Sequence, residues 1–93
     1  MKNELKTINA LALGLHGSQS ELTAFTFRSL REHIAEVEAL LAVDDPHWKA
    51  ETLDIIIHGY LLLERYGVSI EEVQALRQKR LARFKEKITT ALS

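Results

Sequence analysis

Between Leu53 and Leu63 the chain sets Leu53, Ile55, Ile56, Ile57, Tyr60, Leu61, Leu62 and Leu63 so that, at about 100° per residue, apolar side chains point in every direction around a helix. A helix of that kind has to be covered on all sides. The chain has 93 residues, which makes a single domain over 1–93 and leaves three other helices at most to wrap this one. A second chain is the simplest cover for what remains. The expectation is an all-α, four-helix bundle-type protomer that assembles as a homodimer or a dimer of dimers.

The remaining elements follow from sparse punctuation, one proline and four glycines. Asn3 to Leu15 reads as a first helix, ended by Gly14 and the His16-Gly17 pair. Ser18 stands three residues before Glu21, a spacing in which each side chain serves an orphan backbone N–H of the other. A long helix follows, roughly 19–42. Asp44-Asp45-Pro46 breaks it; Asp45 can cap, and Pro46 suits the first helical position because its missing N–H has no partner there. The third helix, roughly 46–66, stops at Gly67, a natural left-handed cap. Ser69 and Glu72 repeat the capping spacing and open a fourth helix, roughly 70–91. No stretch joins strict alternation to β-branched enrichment, so no strand is expected.

Composition narrows the function classes. Twelve Lys and Arg stand against thirteen Asp and Glu, a net charge of −1, which argues against a general nucleic-acid binder. With no cysteine there is no disulfide framework, thiolate zinc site or thiol nucleophile. No apolar run approaches the ~20 residues of a membrane helix. Met1-Lys2-Asn3-Glu4 leads into no small-residue cleavage site, so a cytoplasmic location is expected.

The chemistry concentrates on two helices. The second gathers Leu22, Thr26, Leu30, His33, Val37 and Leu40 into one arc, with Glu36 at its edge and Glu32 beside it. On the third, Glu51, Asp54, His58 and Arg65 form one polar stripe, with His47 and Leu61 on the same line. Glu51 and Asp54, at i and i+3, are neighbours on one face, as are His33 and Glu36. A short Asp44-Asp45 connection makes the two helices antiparallel and lets both pairs share an interface. Clustered carboxylates raise one another's pKa, and a divalent cation resolves the repulsion, with oxygen ligands favouring Mg²⁺ or Mn²⁺. The bland alternative is a solvated acidic pair, and for His33 and His58 a packed, hydrogen-bonded neutral ring.

The order Glu32-His33-x-x-Glu36, fourteen residues, then Glu51-x-x-Asp54 resembles the Glu-Glu-x-x-Glu … Glu-x-x-Asp signature of the all-α nucleoside triphosphate pyrophosphohydrolases. These comprise the MazG-like proteins, the dimeric dUTPases and phosphoribosyl-ATP pyrophosphohydrolase. Tyr66-Gly67-Val68-Ser69-Ile70-Glu71-Glu72-Val73 is similar to the turn of MazG-like chains, and Lys79-Arg80-Leu81-Ala82-Arg83-Phe84 to their closing basic segment. The resemblance covers residues 22–86. It implies a homo-oligomer that holds Mg²⁺ and cleaves a nucleotide between its α- and β-phosphates. On the matching positions it implies Glu36, Glu51 and Asp54 as metal ligands and Glu32 as the residue that orients or deprotonates water. Lys79, Arg80 and Arg83 would meet the polyphosphate. Trp48 is either a stacking surface for a base or a packing anchor.

One position departs from the signature. His33 stands where the family has a ligating glutamate, and an imidazole in that set brings no negative charge and suits Mn²⁺ better than Mg²⁺. The expected function is therefore a metal-dependent nucleotide pyrophosphohydrolase. The alternative is a degenerate relative that keeps the fold as a dimeric interaction or regulatory module.

Overall fold

Short hydrogen-bonded devices set nearly every helix boundary. The Ser18 hydroxyl accepts from the Glu21 N–H at 3.1 Å and opens one helix; Ser69 does the same for Glu72, also at 3.1 Å. Gly17, with φ at +88°, ends the first helix by donating its N–H to the Leu13 carbonyl at 2.9 Å. Gly67, at +79°, and the residue after it donate to Glu64 and Leu63, a Schellman turn. Asp44 takes the equivalent left-handed position in the other interhelical turn at φ +56°, with its own N–H bonded to Leu41 and that of Asp45 to Leu40. The computed structural model describes residues 2–93 and contains, among them, four helices and no strand: α1 (Lys2–His16), α2 (Gln19–Ala42), α3 (Trp48–Arg65) and α4 (Ile70–Leu92).

One boundary departs from expectation. Pro46 does not begin α3. The Asp45 carboxylate accepts from the His47 N–H at 2.9 Å, and Trp48 and Lys49 donate to carbonyls three residues back. These tight turns occupy 46–47 and delay the helix to Trp48, with His47 as a cap that forms no side-chain hydrogen bond.

α1, α2 and α3 pack on one another, the α2–α3 pair most extensively. His33 meets Glu51, Thr26 meets Arg65 and Thr23 meets Tyr66, so α2 and α3 run antiparallel as the short turn requires. Their join is unusually polar. Among the described residues only Leu22 and Leu61 are buried apolar residues, alongside Asn9, Thr26 and Ser29. The Arg65 guanidinium donates to Asn9 Oδ1 at 3.1 Å and to Thr26 Oγ1 at 2.9 Å. The Asn9 amide in turn donates to the Leu61 carbonyl at 3.0 Å and to Glu64 at 2.6 Å. Three helices are thus tied at one point, with Arg65 Nε buried and unpaired.

α3 is turned inside out relative to a usual core helix. Its polar stripe faces α2, while Leu53, Ile56 and Ile57 are 58%, 48% and 44% exposed. The sequence expectation that this helix is covered all round is not met within one protomer. α4 departs from a closed four-helix bundle more strongly. It buries none of its residues, and every residue from Gln74 onward is exposed. Its opening turns flank a groove of about 420 Å³ formed with α1 and α3, lined by Leu5, Tyr60, Leu63, Val68, Ile70 and Val73. The rest projects as an arm, giving a radius of gyration of 16.0 Å where about 12 Å is usual for this length.

Candidate metal centre

The α2–α3 interface brings His33, Glu51 and Asp54 together near the Asp44 turn. One ligand-capable atom from each lies within 4.8 Å of the others, and all three residues are half-buried. His33 sits on the inward arc of α2, and Glu51 and Asp54 sit one turn apart on the inward stripe of α3. His33 Nδ1 is hydrogen-bonded to Glu51 Oε2 and lies 3.9 Å from Asp54 Oδ2. The other Glu51 oxygen lies 3.5 Å from His47 Nε2.

His58 closes the group from α3. Its ring centroid is 5.4 Å from that of His33. Burial pushes its pKa below 6.5 and the neighbouring His33 adds to the effect; Asp54 pulls the other way, and Arg65 lowers it further. The neutral ring is the favoured form, in line with a packed histidine. Three of the chain's four histidines therefore surround two carboxylates.

The remaining expected site residues are placed differently. Glu32 and Glu36 are exposed on α2, and neither joins the His33–Glu51–Asp54 group. Lys79, Arg80 and Arg83 are exposed on the α4 arm, where Arg83 pairs with Glu86 at 3.7 Å and Arg80 lies over Phe84 at 5.8 Å. Trp48 is half-buried in the first turn of α3. The apolar groove beside α1 contains none of the clustered residues. In the sequence His47 is only a neighbour on the stripe, and Asn9 carries no motif. A lone amide inside the apolar run from Ile8 to Leu15 was the signal for it.

As a donor set, one imidazole and two carboxylates fit a first-row divalent cation. Manganese accepts mixed nitrogen and oxygen ligands, whereas magnesium favours an all-oxygen shell. Two charges from the carboxylates balance the ion. No protein-family model, curated protein or solved structure matches this chain. No helix is long and apolar enough to cross a membrane among the described residues.

Proposed function

We propose that the protein binds a divalent cation, Mn²⁺ in preference to Mg²⁺, through His33, Glu51 and Asp54, and hydrolyses nucleoside triphosphates between the α- and β-phosphates. The observation that carries this is the convergence of those three side chains from two helices into a half-buried group. The resemblance of residues 22–86 to MazG-like pyrophosphohydrolases supplies the reaction. Water oxygen bonds to the α-phosphorus, the bridging oxygen leaves with the β- and γ-phosphoryls, and a nucleoside monophosphate and pyrophosphate result.

The chain's own residues divide the work. Glu51 and Asp54 carry the negative charge that holds the cation, and His33 completes the set as a neutral nitrogen donor. A cation held there supplies neutralisation of phosphate charge and a more acidic water. The resemblance assigns the proton of the attacking water to Glu32, which would have to act from its exposed place on α2, outside the His33–Glu51–Asp54 group. The resemblance assigns Lys79, Arg80 and Arg83 to the polyphosphate, which they would have to meet from the exposed α4 arm.

A second reading has its own support. Glu51 already has two imidazole neighbours, and Glu32 and Glu36 lie outside the cluster, which is what a non-catalytic module with a self-satisfied polar interface looks like. Thermal melts with MnCl₂ or MgCl₂ separate the two. A bound cation at a hundredfold excess over its Kd stabilises by about 2.7 kcal/mol, and Glu51→Ala with Asp54→Ala abolishes the gain. No shift with either metal removes the cation site. A shift without pyrophosphate release from any nucleotide in a panel of NTPs and dNTPs leaves a metal-binding module and removes the hydrolase.

A further inference from the structure

The protomer exposes more surface than a molecule of its size should. Its accessible area is 7139 Å², whereas a folded 10.6 kDa monomer exposes roughly 5,500 Å². The excess is about 1,700 Å² per chain. Covered in a symmetric pair, it amounts to roughly 3,300 Å² in total, within the range of obligate dimers.

The exposed area is organised. On the α4 arm, Leu81, Phe84 and Ile88 are 62%, 58% and 61% exposed and lie on one face at spacings of three and four. On α3, Leu53, Ile56 and Ile57 form the open side of the helix, away from the metal cluster. Charge distinguishes the two surfaces. Residues 70–93 carry six basic against three acidic side chains, a net of +3, which leaves −4 on residues 1–69. Two arms laid along each other would bring like charge together, because Arg80 and Lys85 flank the apolar face. The body, residues 1–69, carries the opposite net sign, so an arm laid on another copy's body avoids that repulsion.

We infer that the protein is an arm-exchanged homodimer, in which the α4 face of Leu81, Phe84 and Ile88 of each copy packs on the α3 face of Leu53, Ile56 and Ile57 of the other. The occupant of each surface is a second copy. Exchanged reciprocally about a two-fold axis, the two arm-on-body contacts close the assembly at two chains. It stands independently of the metal chemistry.

The chain has no cysteine, so single cysteines report cleanly on the contact. Phe84→Cys is co-refolded separately with Leu53→Cys, Ile56→Cys and Ile57→Cys, oxidised, and run on non-reducing gels. Light scattering gives the mass of the unmodified protein. The expected results are twice 10.6 kDa and a mixed disulfide with at least one α3 position. A 10.6 kDa monomer at micromolar concentration overturns the inference. So does a dimer in which Phe84→Cys links only to itself, since the arms then pair with each other, and so does a dimer with no mixed link. Leu81→Asp with Phe84→Asp is expected to lower the mass to that of one chain or to lose helicity. A full-strength dimer in that variant also overturns the inference.

Discussion

Asn9→Ala tests the tie that joins the three packed helices. Asn9 is 7% exposed, and its amide holds three partners at once: it accepts from Arg65 at 3.1 Å and donates to the Leu61 carbonyl at 3.0 Å and to Glu64 at 2.6 Å. Truncation leaves the Leu61 carbonyl little harmed, because it sits in a helix. The losses fall on the charged groups. Arg65 already has a buried Nε without a partner and would keep only Thr26; Glu64 would lose its short contact. Hydrogen bonds to charged groups are worth about 1.5–3 kcal/mol each, and both groups can partly recover water, so the expected cost is about 2–4 kcal/mol. A chain of 93 residues has roughly 5–14 kcal/mol in all, so this is a large share. Urea melts at fixed protein concentration should move the midpoint down by about 1–2 M with an unchanged slope. Thr26→Val removes the other acceptor of the same guanidinium, so the two changes should couple by at least about 0.5 kcal/mol. A loss under about 0.5 kcal/mol for Asn9→Ala, or strict additivity with Thr26→Val, would refute the idea that Arg65 fastens α1 to α2 and α3.

Three further outcomes are expected. Burial, then His33, depresses the His58 pKa below 6.5, so the unfolded chain binds this proton more readily than the folded one. The corresponding stability is complete above pH 6.5 and is lost as pH falls below it, and His58→Gln should flatten that part of a melting-temperature profile; an unchanged slope contradicts the assignment. Ser69→Ala removes the acceptor for the Glu72 N–H and should cost about 1 kcal/mol, read as faster amide exchange at the start of α4; unaltered exchange there would dismiss the cap. His33→Glu should strengthen stabilisation by Mg²⁺ relative to Mn²⁺, because a third carboxylate replaces a nitrogen donor; the same metal preference in both proteins would show that His33 is not a ligand.

Local chemistry made the helices readable. Ser18 with Glu21, Ser69 with Glu72, and Gly67 each act within a few residues, so their spacing on the chain is nearly the whole of their physics. The inward arc of α2 was equally legible, with Leu22 and Thr26 buried and His33 at the cluster. What the sequence could not convey was cover. The polar stripe of α3 was legible, since Glu51 and Asp54 were expected to face α2 and do, but an all-round apolar helix does not say which of its other sides its own chain covers, and Leu53 and Ile56 stay outside. The acidic spacing likewise grouped Glu36 with Glu51 and Asp54. The packing selects His33, since only a side chain on the inward arc reaches across to α3. Asn9 escaped notice because its partners are 52 to 56 residues away.

The two polar fasteners between α2 and α3 sit at different heights, His33 with Glu51 near the Asp44 turn and Thr26 with Arg65 toward the opposite end. A pair of leucine-faced helices can slip by one turn, about 5.4 Å, and find another set of greasy contacts. These two cannot, because any such slide would unhook both clasps together and strand an arginine and a glutamate among hydrocarbon. The hairpin therefore has one registration, fixed like a bolt through two holes, and whatever moves in this molecule has to move around it.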